Sequence, residues 1–495
     1  MIRTINLLLW STALATAVFG HDSFDRAEYR RVFDKTVSVQ SGEKISLEHK
    51  FGDIVIHTHP QQDVVIHADI RVSASDENEA HQYADRVEIQ VEPTSELFIR
   101  TKYPETPKSF FGMRNVSFSV RYELTIPESS PVQVRNGFGA VLVDGIKAGS
   151  DILTSHGELR FNNGRGEQRL EDSFGRVEVT HNAGDVTVQT TNGDVSANDV
   201  TGALTIQDRF GKVSAEKISS RLKITNGNGE VQVSDCGGDG DIKTSFGGVR
   251  VSNLRGSLTI NDTNGKVDAT GIGGAATLNT TFGEVTFSDV GKQLSIRSNN
   301  GRVMGNKVGG SLTIISSFGA VQVSDVQHEV HVETQNGDVS VEKAGGATEV
   351  KTSFGTVHAL NLGGLMTVDN TNGSVKASHI KGGEVNTTFG AVVLDGVDGP
   401  IKVHDQNGSV DVASAVHDVC QPIGVRTSFG AIRVRLQSNA SYKVAAKTSF
   451  GKIRTDFPLS AQGQLSGDEV NGTIGGGRCE MTLQNQNGEI EILKQ

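Results

Sequence analysis

The chain has 495 residues, a formal net charge of −11, and a composition that is 36% hydrophobic but only 5% aromatic, with 58 Gly and 9 Pro. That is enough apolar material to fold but too little bulk for a thick core, so a thin, elongated core of Val, Ile and Leu is expected. The acidic balance excludes a nucleic-acid binder, which needs a basic stripe, and implies chiefly solubility.

Arg3, the apolar stretch Leu7 to Val18 and the small-residue site Val18-Phe19-Gly20 read as an export signal over residues 1–20. Cleavage after Ala17 is the alternative site. The run is short for a membrane span, and no later segment reads as transmembrane. No cysteine lies near the cleavage site, so lipidation is not expected.

Residues 21–134 alternate in period two, as in Asp53-Ile54-Val55-Ile56 and Ser117 to Pro127, and predict strands. Asp76 to Arg86 is the one predicted helix, acidic at its start. Phe51-Gly52-Asp53-Ile54 resembles one unit of the repeat that follows. This region is expected to be an irregular β cap on that repeat.

From residue 138 to residue 372 a marker followed by Gly recurs every 18 residues. Phe138, Phe174, Phe210, Phe246, Phe282, Phe318 and Phe354 alternate with Asn192, Asn228, Asn264, Asn300, Asn336 and Asn372, and His156 fills the first intermediate slot. A fixed period of this length marks a repeat architecture. Counting the marker as position 1, position 4 is Val or Leu, and position 15 is Ile, Leu or Val with an apolar neighbour two away. Each unit therefore predicts two short strands, each followed by a turn.

The marker alternation suggests a coil of 36 residues, but the charges favour 18. Position 3 reads Glu158, Arg176, Asp194, Lys212, Glu230, and later Lys266, Glu284, Arg302. In coils of 18 each charge meets its opposite, whereas coils of 36 would pile up like charges, at roughly 0.2–1 kcal/mol per pair. Thr187/Thr205 and Thr259/Thr277 at position 14 would likewise become facing hydroxyl pairs. The predicted fold is an all-β parallel solenoid of about 18 residues per coil, regular over 135–388, with irregular closing coils over 389–495. About 20 coils from residue 135 onward would span roughly 95 Å at ~4.8 Å per strand. A β-propeller is the rival, favoured by Asn-Gly hairpin turns but needing more blades than the usual four to eight.

Of Cys236, Cys420 and Cys479, an odd count, the latter two could pair or remain isolated thiols. No nucleophile motif or P-loop stands out, no cofactor is implied, and the chain reads as non-enzymatic. His57/His59 and His328/His331 lack further metal ligands at recognisable spacing. Gly237-Gly238-Asp239-Gly240-Asp241 matches a calcium-binding turn only once, where tandem copies are needed. Glycan stacking uses aromatic platforms. Trp10 lies in the signal, so the candidate binding residues are Tyr29, Tyr83, Tyr103 and Tyr122, which are otherwise ordinary core and edge residues. Any stacking site is therefore expected in 21–134 rather than on the solenoid.

The strand Tyr122-Glu123-Leu124-Thr125-Ile126-Pro127, the run of G-x-V-x-V and L-x-I units, and the tail Met481-Thr482-Leu483 with Asn487-Gly488-Glu489-Ile490-Glu491-Ile492 resemble the bacterial exported β-strand-repeat proteins labelled "putative adhesins". The biochemical function of that group is unassigned. The resemblance implies an exported protein, periplasmic, surface-bound or secreted, whose partner is protein or a cell-envelope or glycan surface. It departs from ordinary surface adhesins in having no wall-sorting motif or evident outer-membrane barrel. A periplasmic spacer and a carbohydrate-active β-helix enzyme are the alternative expectations.

Overall fold

The computed structural model describes residues 26–104, 116–415, 420–461 and 467–495, so the expected signal over 1–20 lies outside the described residues. The chain is an all-β parallel solenoid of about seventeen turns with about 18 residues per turn. One turn runs through the strand Leu204–Phe210, a tight turn at Gly211, the strand Val213–Ile218 and a second turn at Ser219 and Ser220. Between Val132 and Ser378 each strand pairs in parallel with the strand 18 residues on: Leu204 with Leu222, Phe210 with Asn228, Val213 with Val231. The turns are fewer than the ~20 expected because Leu459–Ala461 and Glu469–Ile474 run antiparallel as a cap instead.

The register brings the alternating charges together as the 18-residue coil requires. Lys212 lies 3.7 Å from Glu230, Lys266 lies 2.9 Å from Glu284, and Arg176 lies 3.9 Å from Asp194. All are half exposed, so each contributes little energy; their value is in opposing register slips. Thr187 faces Thr205 and Thr259 faces Thr277. The fold comes from the interior, where Val213, Ala215, Ile218, Leu222 and Ile224 repeat as buried rows in coil after coil, at roughly 1.5–3 kcal/mol per fully buried Val, Leu or Ile.

Two backbone features make this coil possible. The second strand is bent at position 8, where Asn163, His181, Asp199, Lys217 and their successors to His379 take φ between 54° and 69°, the upper value at Gly271. The bend lets position 9 point inward after positions 4 and 6, giving burial at Val213, Ala215 and Ile218. Asn, Asp and His accept the left-handed region readily, whereas Lys217, Lys307 and Lys343 adopt it at a cost of roughly 1–2 kcal/mol. Glycine at position 2 answers a different need. A Cβ on Gly193 would lie 1.7 Å from the carbonyl oxygen of Gly175 in the coil below. Nothing larger fits between rungs at that corner.

Both ends are closed by one device, a rung inserted out of chain order. At the N-terminal end Ile45–Glu48 and Ile54–His59 sit between Leu97–Lys102/Ser117–Pro127 on one side and Val132–Phe138/Val141–Asp144 on the other. Antiparallel strands Asp63–Ala74, Ala27–Ser38 and Glu88–Pro93 then cover the outer rung. The helix Glu77–Arg86, N-capped by Asp76 through the Glu79 N–H, buries Ala80, Tyr83 and Ala84 against this cap. At the C-terminal end Cys479–Asn487 and Ile490–Lys494 slide between Ile423–Phe429/Ile432–Leu436 and Tyr442–Phe450/Ile453–Thr455. A disulfide between Cys420 and Cys479 ties the start of that inserted strand to its neighbour, and Cys236 stays a buried thiol.

Gly193→Ala is expected to lower stability by about 1–3 kcal/mol, the usual cost of overpacking. Lys307→Gly, which relieves the left-handed backbone without removing an ion pair, is expected to raise it by up to ~1 kcal/mol. Thermal melts followed by circular dichroism check both signs.

Candidate functional site: one corner of the solenoid

The Phe and Asn markers stack up a single corner. Phe138, Phe174, Phe210, Phe246, Phe282, Phe318, Phe354, Phe389 and Phe429 are each 44–55% exposed, and Phe450 is 75% exposed. Where aromatic rings meet on adjacent rungs, they lie face to face along the axis. His156 is stacked 4.6 Å from Phe138 and 4.8 Å from Phe174, and Phe51 lies 5.5 Å from Phe138. Phe210, flanked by Asn192 and Asn228, is as exposed as Phe174, consistent with the same stacking against amides. The ring edges therefore form a ridge, with one Phe about every 9.6 Å, twice the ~4.8 Å strand spacing.

The alternation is spatial rather than sequential. Phe429 and Phe450 are consecutive markers in the chain, yet the inserted strand places Asn487 between them, paired with both. An unbroken Phe ladder would make a continuous apolar stripe, and such a stripe is an association hazard; the Asn rungs interrupt it.

Beneath the ridge, position 17 is a buried polar ladder. Asn226 Nδ2 donates to the carbonyl oxygens of Gly211 and Gly229 at 3.1 and 3.3 Å, and Asn370 bonds Gly355 and Gly373 in the same way. Thr448 Oγ1 donates to the Gly488 carbonyl at 3.0 Å. These side chains satisfy carbonyls that the tight corner leaves inside. Asp172, Asp208, Asp262 and Asp405 occupy the same ladder, where an ionised carboxylate has no proton to donate. Burial pushes each carboxyl from 3.8 up to about 6. Backbone N–H groups such as those of Ser173 and Phe174 lean toward the carboxylates and offset part of this, but neither oxygen of Asp172 completes a well-formed hydrogen bond.

Beside the ridge a shallow groove of about 930 Å³ runs across the strands, from Ile315 to Ser428. Position 18 lines it with Ser317, Gln335, Ser353, Thr371, Thr388 and Gln406. At position 16 its other wall carries two acids, Glu333 and Asp369, against two bases, Lys351 and Arg426. Arg209 is the one ionisable residue in the position-18 row between Ser155 and Ser428.

The tyrosines singled out from sequence are placed elsewhere. Tyr83 and Tyr122 are buried, so neither offers a ring face to a ligand. Tyr122 OH bonds Thr101 Oγ1 at 2.7 Å, Thr101 meets His49 Nδ1 at 3.1 Å, and Tyr103 OH reaches both His49 Nδ1 and the Phe51 N–H at 3.2 Å. Desolvation holds His49 down at about 4 and raises Tyr122 to about 12, so this is a neutral, structural network. Tyr83 and Tyr103 close it by packing on Phe118, and Tyr29 stands edge-on to His81. Among the described residues the most exposed aromatic rings lie on the solenoid, outside the 21–134 region where the sequence places any stacking site. The half-exposed phenylalanines were missed because Phe reads as core by composition; its place beside a turn glycine was the available signal.

The histidine and glycine-aspartate motifs have local roles. His59 Nε2 lies 2.7 Å from the Asp63 carbonyl oxygen, and His331 pairs with Glu349 at 3.0 Å. Asp239 accepts the Ser257 N–H of the next rung at 2.7 Å, as Asp194 accepts that of Lys212 at 2.9 Å. Among the described residues no group of three or more His, Cys, Asp or Glu is placed to hold a metal ion, and no helix is long and apolar enough to cross a membrane.

The family model described as Toastrack DUF4097 matches residues 43–272 and 328–493, and the chain belongs to that family. Similar solved structures include a "putative cell adhesion protein" from Clostridium sporogenes ATCC 15579, at 9% identity over 95% of this chain and 100% of that one, with a TM-score of 0.14. Another is a "putative adhesin" from Parabacteroides distasonis ATCC 8503, at 13% identity over 59% and 97%, with a TM-score of 0.20. No curated protein matches.

The four aspartates set a pH dependence with a definite sign. Their folded pKa values lie above the unfolded value of 3.8. The folded state therefore binds more protons between about pH 4 and 6, and stability falls as pH rises through that window. Replacing all four with Asn, the residue that donates at the same position in other rungs, is expected to flatten this slope. It should also raise stability at pH 7.5 by about 1 kcal/mol per site, the net value of a hydrogen bond. Melting midpoints at pH 4.5 and 7.5 for both proteins check it.

Proposed function

We propose that the chain is an exported, non-enzymatic solenoid that binds extended cell-envelope material along the ridge-and-groove corner. The observation that carries this reading is the row of half-exposed phenylalanines, ten from Phe138 to Phe450. Half-exposed rings repeated at a fixed spacing over so many rungs offer an extended partner one apolar contact at every second rung. The Cys420–Cys479 disulfide supports export, since such bonds persist in oxidising compartments. A periplasmic spacer is the second reading, favoured by the uninterrupted repeat, in which the ridge would serve stability alone.

Replacing Phe246, Phe282, Phe318 and Phe354 together with Asn, the residue already used on alternate rungs, separates the two. Co-sedimentation with isolated bacterial envelopes is expected to fall at least tenfold with the circular dichroism spectrum unchanged. Undiminished co-sedimentation would favour the spacer.

A further inference from the structure

We propose that the groove beside the ridge binds a neutral β-1,4-linked glycan laid parallel to the solenoid axis. This rests on the reading of the corner as a binding surface and specifies its occupant. The first observation is charge. The position-18 row offers hydroxyls and amides, as at Ser353, Thr371, Thr388 and Gln406, and the charges on the facing wall cancel, Glu333 and Asp369 against Lys351 and Arg426, which leaves only the buried Asp405 carboxyl on the floor between them. A polyanion or polycation would find no complementary field there, whereas a polymer of hydroxyl groups finds donors and acceptors on every rung.

The second observation is direction. The groove crosses the strands, so a polypeptide lying in it could not add to either sheet; main-chain pairing is available only at a sheet edge. A ligand here must be recognised through its substituents. The third observation is period. The corner repeats every second rung, about 9.6 Å at ~4.8 Å per strand, because Phe and Asn alternate in space even where the chain order does not. In a β-1,4-linked chain successive sugars are flipped, so like faces recur at every second sugar. Each Phe edge would then meet the same C–H face, and the polar row would meet the hydroxyl edges between.

The test uses isothermal titration of the disulfide-intact protein with cellohexaose, chitohexaose, mannohexaose and xylohexaose, with polygalacturonate as a charged control. Saturable binding of at least one of the four is expected, little changed by added salt, with no binding of polygalacturonate. The double variant Ser353→Arg/Thr371→Arg should weaken that binding at least tenfold; Arg209 already occupies this row, so the fold accommodates the change. If none of the four binds while envelopes still co-sediment with the protein, the glycan assignment is overturned and the binding corner stands. Loss of that co-sedimentation on protease treatment of the envelopes would identify a protein occupant instead. Glycan binding that the double variant leaves intact would overturn the groove as the site. If neither envelopes nor glycans bind, both the corner reading and the glycan proposal fail.

Discussion

Through its regular coils each rung of this solenoid is held to the next by a parallel backbone ladder that joins residue i to residue i+18. The strand spacing is invariant, so whatever stands at a position in one coil stands directly over its counterpart in the next. A choice made once is made in every coil, and its energy is multiplied along the axis. That single constraint accounts for the glycine that must lie against a glycine, for opposite charges on successive rungs, and for rows of one apolar residue type in the interior. It also places polar residues in a row inside, where on rungs such as those of Asn226, Asn370 and Asn485 a side chain bonds the carbonyls of the tight corner.

A stack of this kind has open edges at both ends, and exposed edges template aggregation. The chain closes them by returning to insert a rung beneath its own outermost one, then covering the outer rung with antiparallel strands. The same insertion restores Phe/Asn alternation at the C-terminal end, where Asn487 comes to lie between Phe429 and Phe450.

The corner that carries the ridge is also where burial is least comfortable. The glycine carbonyls, the buried aspartates beneath them and the half-exposed rings above all lie within a few residues of each tight turn. A flat solenoid face offers little concavity, so a site has to be assembled from many rungs, each supplying one or two contacts. On such a surface an extended ligand can be touched lightly on many rungs. Much of the corner was legible beforehand: the residue types, the period and the Phe/Asn alternation are all in the chain. The groove was not, since it depends on how positions 16 and 18 are angled on either side of a buried position 17.

Periodicity alone determined the architecture. The 18-residue interval, the two apolar positions per interval and the sign of successive charges suffice for a parallel coil of that length, because parallel stacking converts sequence spacing directly into spatial contact. The helix from Asp76 was legible for a similar reason, since its cap and its face are local. Tertiary structure decided the rest. The left-handed bend at position 8 was hidden because Asn, Asp, His and Lys also read as ordinary surface residues. Burial of Tyr83 and Tyr122, exposure of the phenylalanines, and insertion of the last strand between two earlier rungs all depend on contacts between residues far apart in the chain, which no local pattern encodes.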